Sequence, residues 1–186
     1  MAGGKIAGVA ATVLLAAVIF WAGTRPAVVF TVRLPREGDR LAAAVRTGEG
    51  EEMRLSYLHS VEKTPVEGRF VVSEGPSLRI RETRMASVGT GLPNTVPERT
   101  RREGGWLVVD EEMHRIEGFR YRLMDLNRTR LTVEGAPVPL GEIRNGSILY
   151  FSVESVRNFR WWLWCITGTD WKAPDLRQEA IRERTG

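Results

Sequence analysis

Between residues 28 and 155 apolar side chains recur at every second position in short segments, with glycine or proline between them. A period of two marks a strand with one face toward a core, and many short strands separated by turn residues build sandwiches and barrels. "VVFTVRLP" (28–35) is β-branched and aromatic, and "LAAAVRTGEGEEMRLSYLHS" (41–60) reads as two strands around a Gly-Glu-Gly turn. "GRFVVS" and "LRIRETRMAS" flank the turn "EGP", and "GGWLVVD" adds a further strand. "FRYRLMDLNRTRLTV", "APVPL" and "SILYFSVES" complete the set, the last two separated by Asn145-Gly146, a strong hairpin signal. Roughly eight to ten strands result, spaced as in sandwiches and barrels. Apart from the first run, no stretch before residue 170 carries a helical period. The expected fold class is all-β: a β-sandwich-like domain over 27–156, after an N-terminal helix (1–26) and before a Trp-rich segment with a short helix (157–186).

Alternation also assigns faces. Phe119, Tyr121 and Leu123 oppose Arg120 and Arg122, while Leu131 and Val133 oppose Arg128 and Arg130. If these two segments pair through "MDLN", the four arginines share one outer face. Such a face is either neutralised by glutamates of a neighbouring strand or offered to acidic head groups or an acidic partner.

Ile6 to Gly23 holds eighteen residues without a charge, the lower edge of what crosses a hydrocarbon core of ~30 Å as a helix. Lys5 precedes the run, Trp21 lies near its far end and Arg25-Pro26 closes it. A cleaved secretory peptide needs small residues one and three positions before the cut, and "IFWAGTRPA" matches that poorly. An uncleaved signal anchor is therefore expected, placing the domain after it outside the cytoplasm at the inner membrane. Arg25, Arg33 and Arg36 just after the run do not favour that orientation, although long domains translocate largely regardless of such charges.

The formal charge is +4, carried almost wholly by arginine because Lys5, Lys63 and Lys172 are the only lysines. With no helix-turn-helix, aromatic RNA platform or zinc spacing beside it, this charge does not point to nucleic acid. Cys165 is the single cysteine, which rules out an intrachain disulfide.

"YLHSVEKTP" (57–65) gathers a histidine, a serine, a glutamate and a lysine. On a strand His59 and Ser60 point to opposite faces and cannot act together as base and nucleophile, and no G-x-S-x-G elbow is present. A hydrolase would have to recruit His114, the only other histidine. Two histidines and one cysteine, all far apart, lack zinc spacing, whereas Glu62, Glu67 and Glu82 have the chemistry to hold a hard cation. For His59 the plain structural alternative is an imidazole bonded to nearby backbone or carboxylate. The second odd stretch is "VGTGLPNTVPE" (88–98), where Gly89 and Gly91 permit unusual backbone angles and Pro93 and Pro97 stiffen the chain beyond them.

"YLHSVEKTPVEGRF", with "SVGTGLP" some twenty residues later, is similar to the bacterial and archaeal family known as domain of unknown function 1850. Its members share a Tyr-x-His-Ser-Val-Glu-Lys/Arg-x-x-Val core and a Gly-Ala-Gly-Leu/Met-Pro loop. Here Thr90 replaces the alanine, and Gly68 stands where a second polar residue often comes after Glu67. The resemblance covers roughly residues 28–155. It implies a small membrane-anchored or exported protein without assigned chemistry, encoded beside TAXI-type TRAP transporters, which pair an extracytoplasmic solute-binding protein with a fused permease. The motif positions carried over are Tyr57, His59, Ser60, Val61, Glu62, Lys63, Gly89, Gly91, Leu92 and Pro93.

Trp161, Trp162, Trp164 and Trp171 crowd the segment "NFRWWLWCITGTDWK", which is too short to span a bilayer. Tryptophan beside arginine suits a membrane interface or a partner surface, and a final core strand with buried indoles is the bland alternative. "PDLRQEAIRERTG" reads as a short polar helix. The expected function is a non-catalytic accessory subunit docking on a TAXI-type TRAP permease or its solute-binding protein, with no cofactor or metal. Its contacts are expected from Tyr57, His59, Ser60, Glu62, Lys63, Thr64, Glu67 and the 89–93 loop. The alternative is a module for a small ligand or cation built on His59, Glu62, Glu67 and Glu82.

Overall fold

The strand β1 (Pro26–Leu34) is buried on both faces, and this sets the architecture. Phe30, Val32 and Leu34 point into one apolar core, and Ala27 and Val29 point into a second on the opposite side. A strand covered on both sides reads as a nearly continuous apolar run, as "AVVFTVRL" does. The computed structural model describes residues 2–87 and 97–167, with side chains from Gly8 onward.

β1 comes after the helix α1 (Ala2–Thr24) and pairs antiparallel with β2 (Arg40–Arg46) and β11 (Ile148–Arg157). β8 (Gly118–Arg122) joins the far side of β11 and completes a four-stranded sheet in the order β2-β1-β11-β8. The second sheet is formed by β3 (Glu52–Leu58), β4 (Pro65–Ser73), β5 (Ser77–Met85), β6 (Thr100–Glu103), β7 (Trp106–Ile116), β9 (Arg130–Val133) and β10 (Ala136–Val138). Its order is β10-β9-β3-β4-β5-β7-β6, antiparallel throughout.

The two sheets close on one core. Phe30, Leu149 and Phe151 from the smaller sheet meet Met53, Leu55, Phe70, Leu78 and Leu131 from the larger. Phe119 on β8 bridges them, its ring 4.8 Å from Phe70 and 5.1 Å from Phe151. Gly118 precedes it because a Cβ there would lie 2.5 Å from the Phe151 carbonyl oxygen.

The all-β expectation holds for the body of the chain, but three pairings differ from those the sequence suggests. The strands around Gly-Glu-Gly, β2 and β3, lie in different sheets, so that turn is a crossover. The two arginine-rich segments are β8 and β9, and they too belong to different sheets. Leu123, buried between them, draws the chain across the core, with its N–H on the Ser147 carbonyl at 2.9 Å. Asn145-Gly146 makes no hairpin: β10 pairs with β9, and the Gly146 N–H donates to the Leu123 carbonyl at 2.8 Å. Alternation identifies a strand's faces and is silent on which sheet it enters.

A helix also appears where none was expected. α2 (Asn158–Thr167) continues directly from β11. The expected helix from Pro174 onward lies outside the described residues, as does Trp171. Trp161 and Trp164 pack against Ala27, Val29, Ala44 and Val156 on the outer face of the smaller sheet, so these two indoles cover protein. Among the described residues no helix is long and apolar enough to cross a membrane. The uncharged run begins at Ile6, before the first described side chain.

Candidate docking site

β3 and β4 are joined by residues 59–64, at the end of the sandwich opposite α1 and α2. β1 leaves α1 at Pro26 and ends at Leu34, and β11 runs back from Ile148, beside Arg122, to α2. The ring of Tyr57, just before the loop, lies 5.6 Å from that of Tyr121, just before Arg122, so the loop shares that far end.

The loop is shaped by its own polar atoms. The His59 N–H donates to the Thr64 carbonyl at 2.9 Å, and the Lys63 N–H donates to the His59 carbonyl at 2.9 Å. The Glu62 N–H donates to Nδ1 of His59 at 3.3 Å, which makes Nδ1 an acceptor and leaves the ring proton on Nε2. Lys63 takes a left-handed φ of +54° to close the turn. Ser60, Glu62 and Lys63 are exposed, and Val61 projects at the tip with 68% of its surface open. The imidazole therefore serves its own loop rather than Ser60. His114 lies far down the larger sheet, opposite Ile80 on β5, and brings no second imidazole here. Tyr57 faces inward, and burial, then the charge of Tyr121, pushes its phenol pKa up.

The second motif begins at the same place. The Ala86 N–H donates to the Pro65 carbonyl at 3.2 Å, and the Ser87 hydroxyl donates to the Thr64 hydroxyl at 3.4 Å. Gly89, Gly91, Leu92 and Pro93 lie outside the described residues.

Glu67 and Glu82, expected as ligand groups, face the outside of the larger sheet and sit in a ladder of arginines. Glu67 pairs with Arg69 at 2.8 Å and with Arg54 at 3.7 Å. Glu82 pairs with Arg84 at 2.8 Å, Arg101 at 2.9 Å and Arg69 at 3.5 Å. Burial alone pushes the Glu82 carboxyl up, but the hydrogen bonds from Arg84 and Arg101 and the nearby charges outweigh it, and its pKa is lowered. These carboxylates are already neutralised and are separated from Glu62. Among the described residues no three His, Cys, Asp or Glu side chains are placed to hold a metal ion.

The alternation 52, 54, 67, 69, 82, 84 on adjacent strands carries the signal for this ladder, but only once the register is known. Arg120, Arg122, Arg128 and Arg130 stay outside it and make no ion pair among the described residues. Arg120 and Arg122 line a cleft of about 370 Å³ with Arg36, Tyr121 and Ile148. Arg128 and Arg130 line one of about 220 Å³ with Tyr57, Leu58 and Pro65. The two clefts thus hold four cationic side chains between them, and the Tyr121 hydroxyl bonds that of Thr129 at 2.8 Å.

Residues 53–140 match the family model described as Domain of unknown function (DUF1850). The span is narrower than the sequence motifs imply: it covers the larger sheet and β8 and leaves out β1, β2, β11 and both helices. Within this DUF1850 span lie the 59–64 loop, Ala86 and Ser87 beside it, and the four arginines. No curated protein and no solved structure matches the chain.

Proposed function

We propose that this chain is a membrane-anchored accessory subunit without catalysis of its own, which docks a partner protein with the end of the sandwich formed by residues 59–64 together with Ala86 and Ser87. The observation that carries this reading is the character of that end. A self-bonded hairpin holds exposed Val61 and Lys63 beside arginines that have no acidic partner among the described residues, while the imidazole that would do chemistry is committed to the backbone. Exposed arginine, tyrosine and aliphatic side chains on a rigid frame are what protein interfaces use.

The anchor in this proposal is α1, which contains the uncharged run from Ile6 to Gly23. It runs 23 residues, and its Val13, Leu14, Leu15, Ile19 and Phe20 are exposed to about half or more of their surface. β1 is nine residues long, so the docking end stands ~30 Å from the end of α1. That reach suits a partner surface outside the bilayer, either the solute-binding protein of a TAXI-type TRAP transporter or the extramembrane loops of its permease.

The test is copurification of the full chain with the transporter from native membranes in mild detergent, comparing the native protein with Val61→Glu and Lys63→Glu. Retention by the native chain and loss from both variants is the expected result. Failure of the native chain to retain the transporter overturns the proposal.

A further inference from the structure

α2 presents two opposite stripes. Trp161 and Trp164 are laid on the smaller sheet. Phe159, Leu163 and Ile166 point away from it, 40%, 57% and 82% exposed, at the i, i+4, i+7 spacing of a single helix face. Trp162 joins this side, its ring edge-on to Phe159 at 5.3 Å.

The helix is locked in place at the corner where α1 ends. The Asn158 side chain donates to the Ala22 carbonyl at 2.9 Å, and its backbone N–H donates to the Arg25 carbonyl at 2.9 Å. The Phe159 ring lies 6.2 Å from that of Phe20 in a tilted arrangement, and a Cβ at Gly23 would clash with the outer edge of the Phe159 ring, so glycine lets the ring close on α1. The outward stripe of α2 is therefore continuous with the exposed apolar surface of α1 at Phe20 and Trp21. Arginines edge this patch and lie on indole faces: Arg25 over Trp21 at 3.9 Å and Arg160 over Trp164 at 5.1 Å.

We infer that α2 lies flat in the headgroup–acyl boundary of the lipid surface, with Phe159, Leu163 and Ile166 in the acyl region and Arg25 and Arg160 toward anionic headgroups. The inference rests on the reading of α1 as the anchor. Apolar side chains on one face, indoles at the boundary and arginine at the rim are the composition that this layer accepts. A narrow stripe that simply extends the apolar surface of α1 suits a fluid lipid layer, which needs no matching shape. The α1–α2 corner then acts as a bracket that holds the sandwich upright and aims the 59–64 loop away from the bilayer.

The test uses the full chain in vesicles of phosphatidylethanolamine and phosphatidylglycerol. Ile166→Cys, Leu15→Cys and Val61→Cys, each with Cys165→Ser, carry a fluorescent label. The label at 166 is expected to be quenched several-fold more by lipid spin-labelled near the headgroup than by aqueous iodide. The label at 15 answers only to deeply spin-labelled lipid, and the label at 61 only to iodide. Iodide quenching at 166 with lipid quenching at 15 overturns the docking of α2 and leaves the anchor standing. Shielding of 166 from both quenchers means that protein covers the stripe, which also overturns it. Iodide quenching at 15 removes the anchor and this inference together.

Discussion

The backbone N–H of Glu62 donates to Nδ1 of His59 at 3.3 Å, so the imidazole at the centre of the motif fixes the loop that carries it. Asparagine places an acceptor in a similar position, and alanine places none. His59→Ala is expected to cost ~1 kcal/mol and lower Tm by roughly 2–4 °C, while His59→Asn recovers most of that stability. Thermal unfolding monitored by circular dichroism distinguishes the two. An imidazole that did not hold the loop would show neither the loss nor the rescue.

Glu82 receives three arginines while itself only 7% exposed, so removing its charge leaves guanidinium groups without their acceptor. Glu82→Gln is expected to lower stability by about 2–3 kcal/mol, read as a lower urea midpoint.

The ladder, together with the Arg33–Glu154 pair on the smaller sheet, sets an acid limit. The folded-state pKa values of Glu82 and Glu154 lie below the ordinary 4.5: burial raises each, but Arg84 and Arg101 at Glu82, and Arg33 with Thr31 at Glu154, pull harder the other way. A depressed carboxylate stabilises the fold above its unfolded pKa, and that contribution is lost as pH falls through the folded value. Stability is therefore expected to be level near neutrality and to decline below about pH 4.5, with the decline reduced in Glu82→Gln. Urea midpoints across a pH series measure it.

Gly118 meets the Phe151 carbonyl where β8 presses on β11, and a methyl group has no room there. Gly118→Ala is expected to cost about 1–3 kcal/mol, because backbone rather than a flexible side chain must move. Gly104→Ala is the useful contrast. Its Cβ meets open space, and strain from its left-handed φ of +55° is the only penalty.

Periodicity encodes local geometry, and that divides the legible parts of the fold from the rest. The β4–β5 hairpin is readable in the chain because "EGP" and the flanking alternation are local. The partners of β2, β3, β8 and β9 are not, since Leu123 and the Gly-Glu-Gly turn carry the chain between sheets and alternation names no partner. α2 is hidden because Trp161 and Trp164 fill the face opposite Phe159, Leu163 and Ile166, and a short segment apolar on both sides cannot be told from a buried strand by periodicity alone. At the site, the crowding of polar groups at 57–65 is visible in the sequence, but the bond that commits His59 to its loop is not. Glu67 and Glu82 look available as ligands only until the register sets them against Arg69, Arg84 and Arg101.

The most direct test of the docking end is photo-crosslinking in native membranes, with a photoreactive amino acid placed at Val61 or, on the turn at the other end of the larger sheet, at Glu74. Both positions are exposed, so neither replacement is expected to change stability by more than about 0.5 kcal/mol. The account predicts a discrete crosslinked protein partner from position 61 and none from position 74. Equal products from both positions, or none from position 61 with the transporter present, would contradict it.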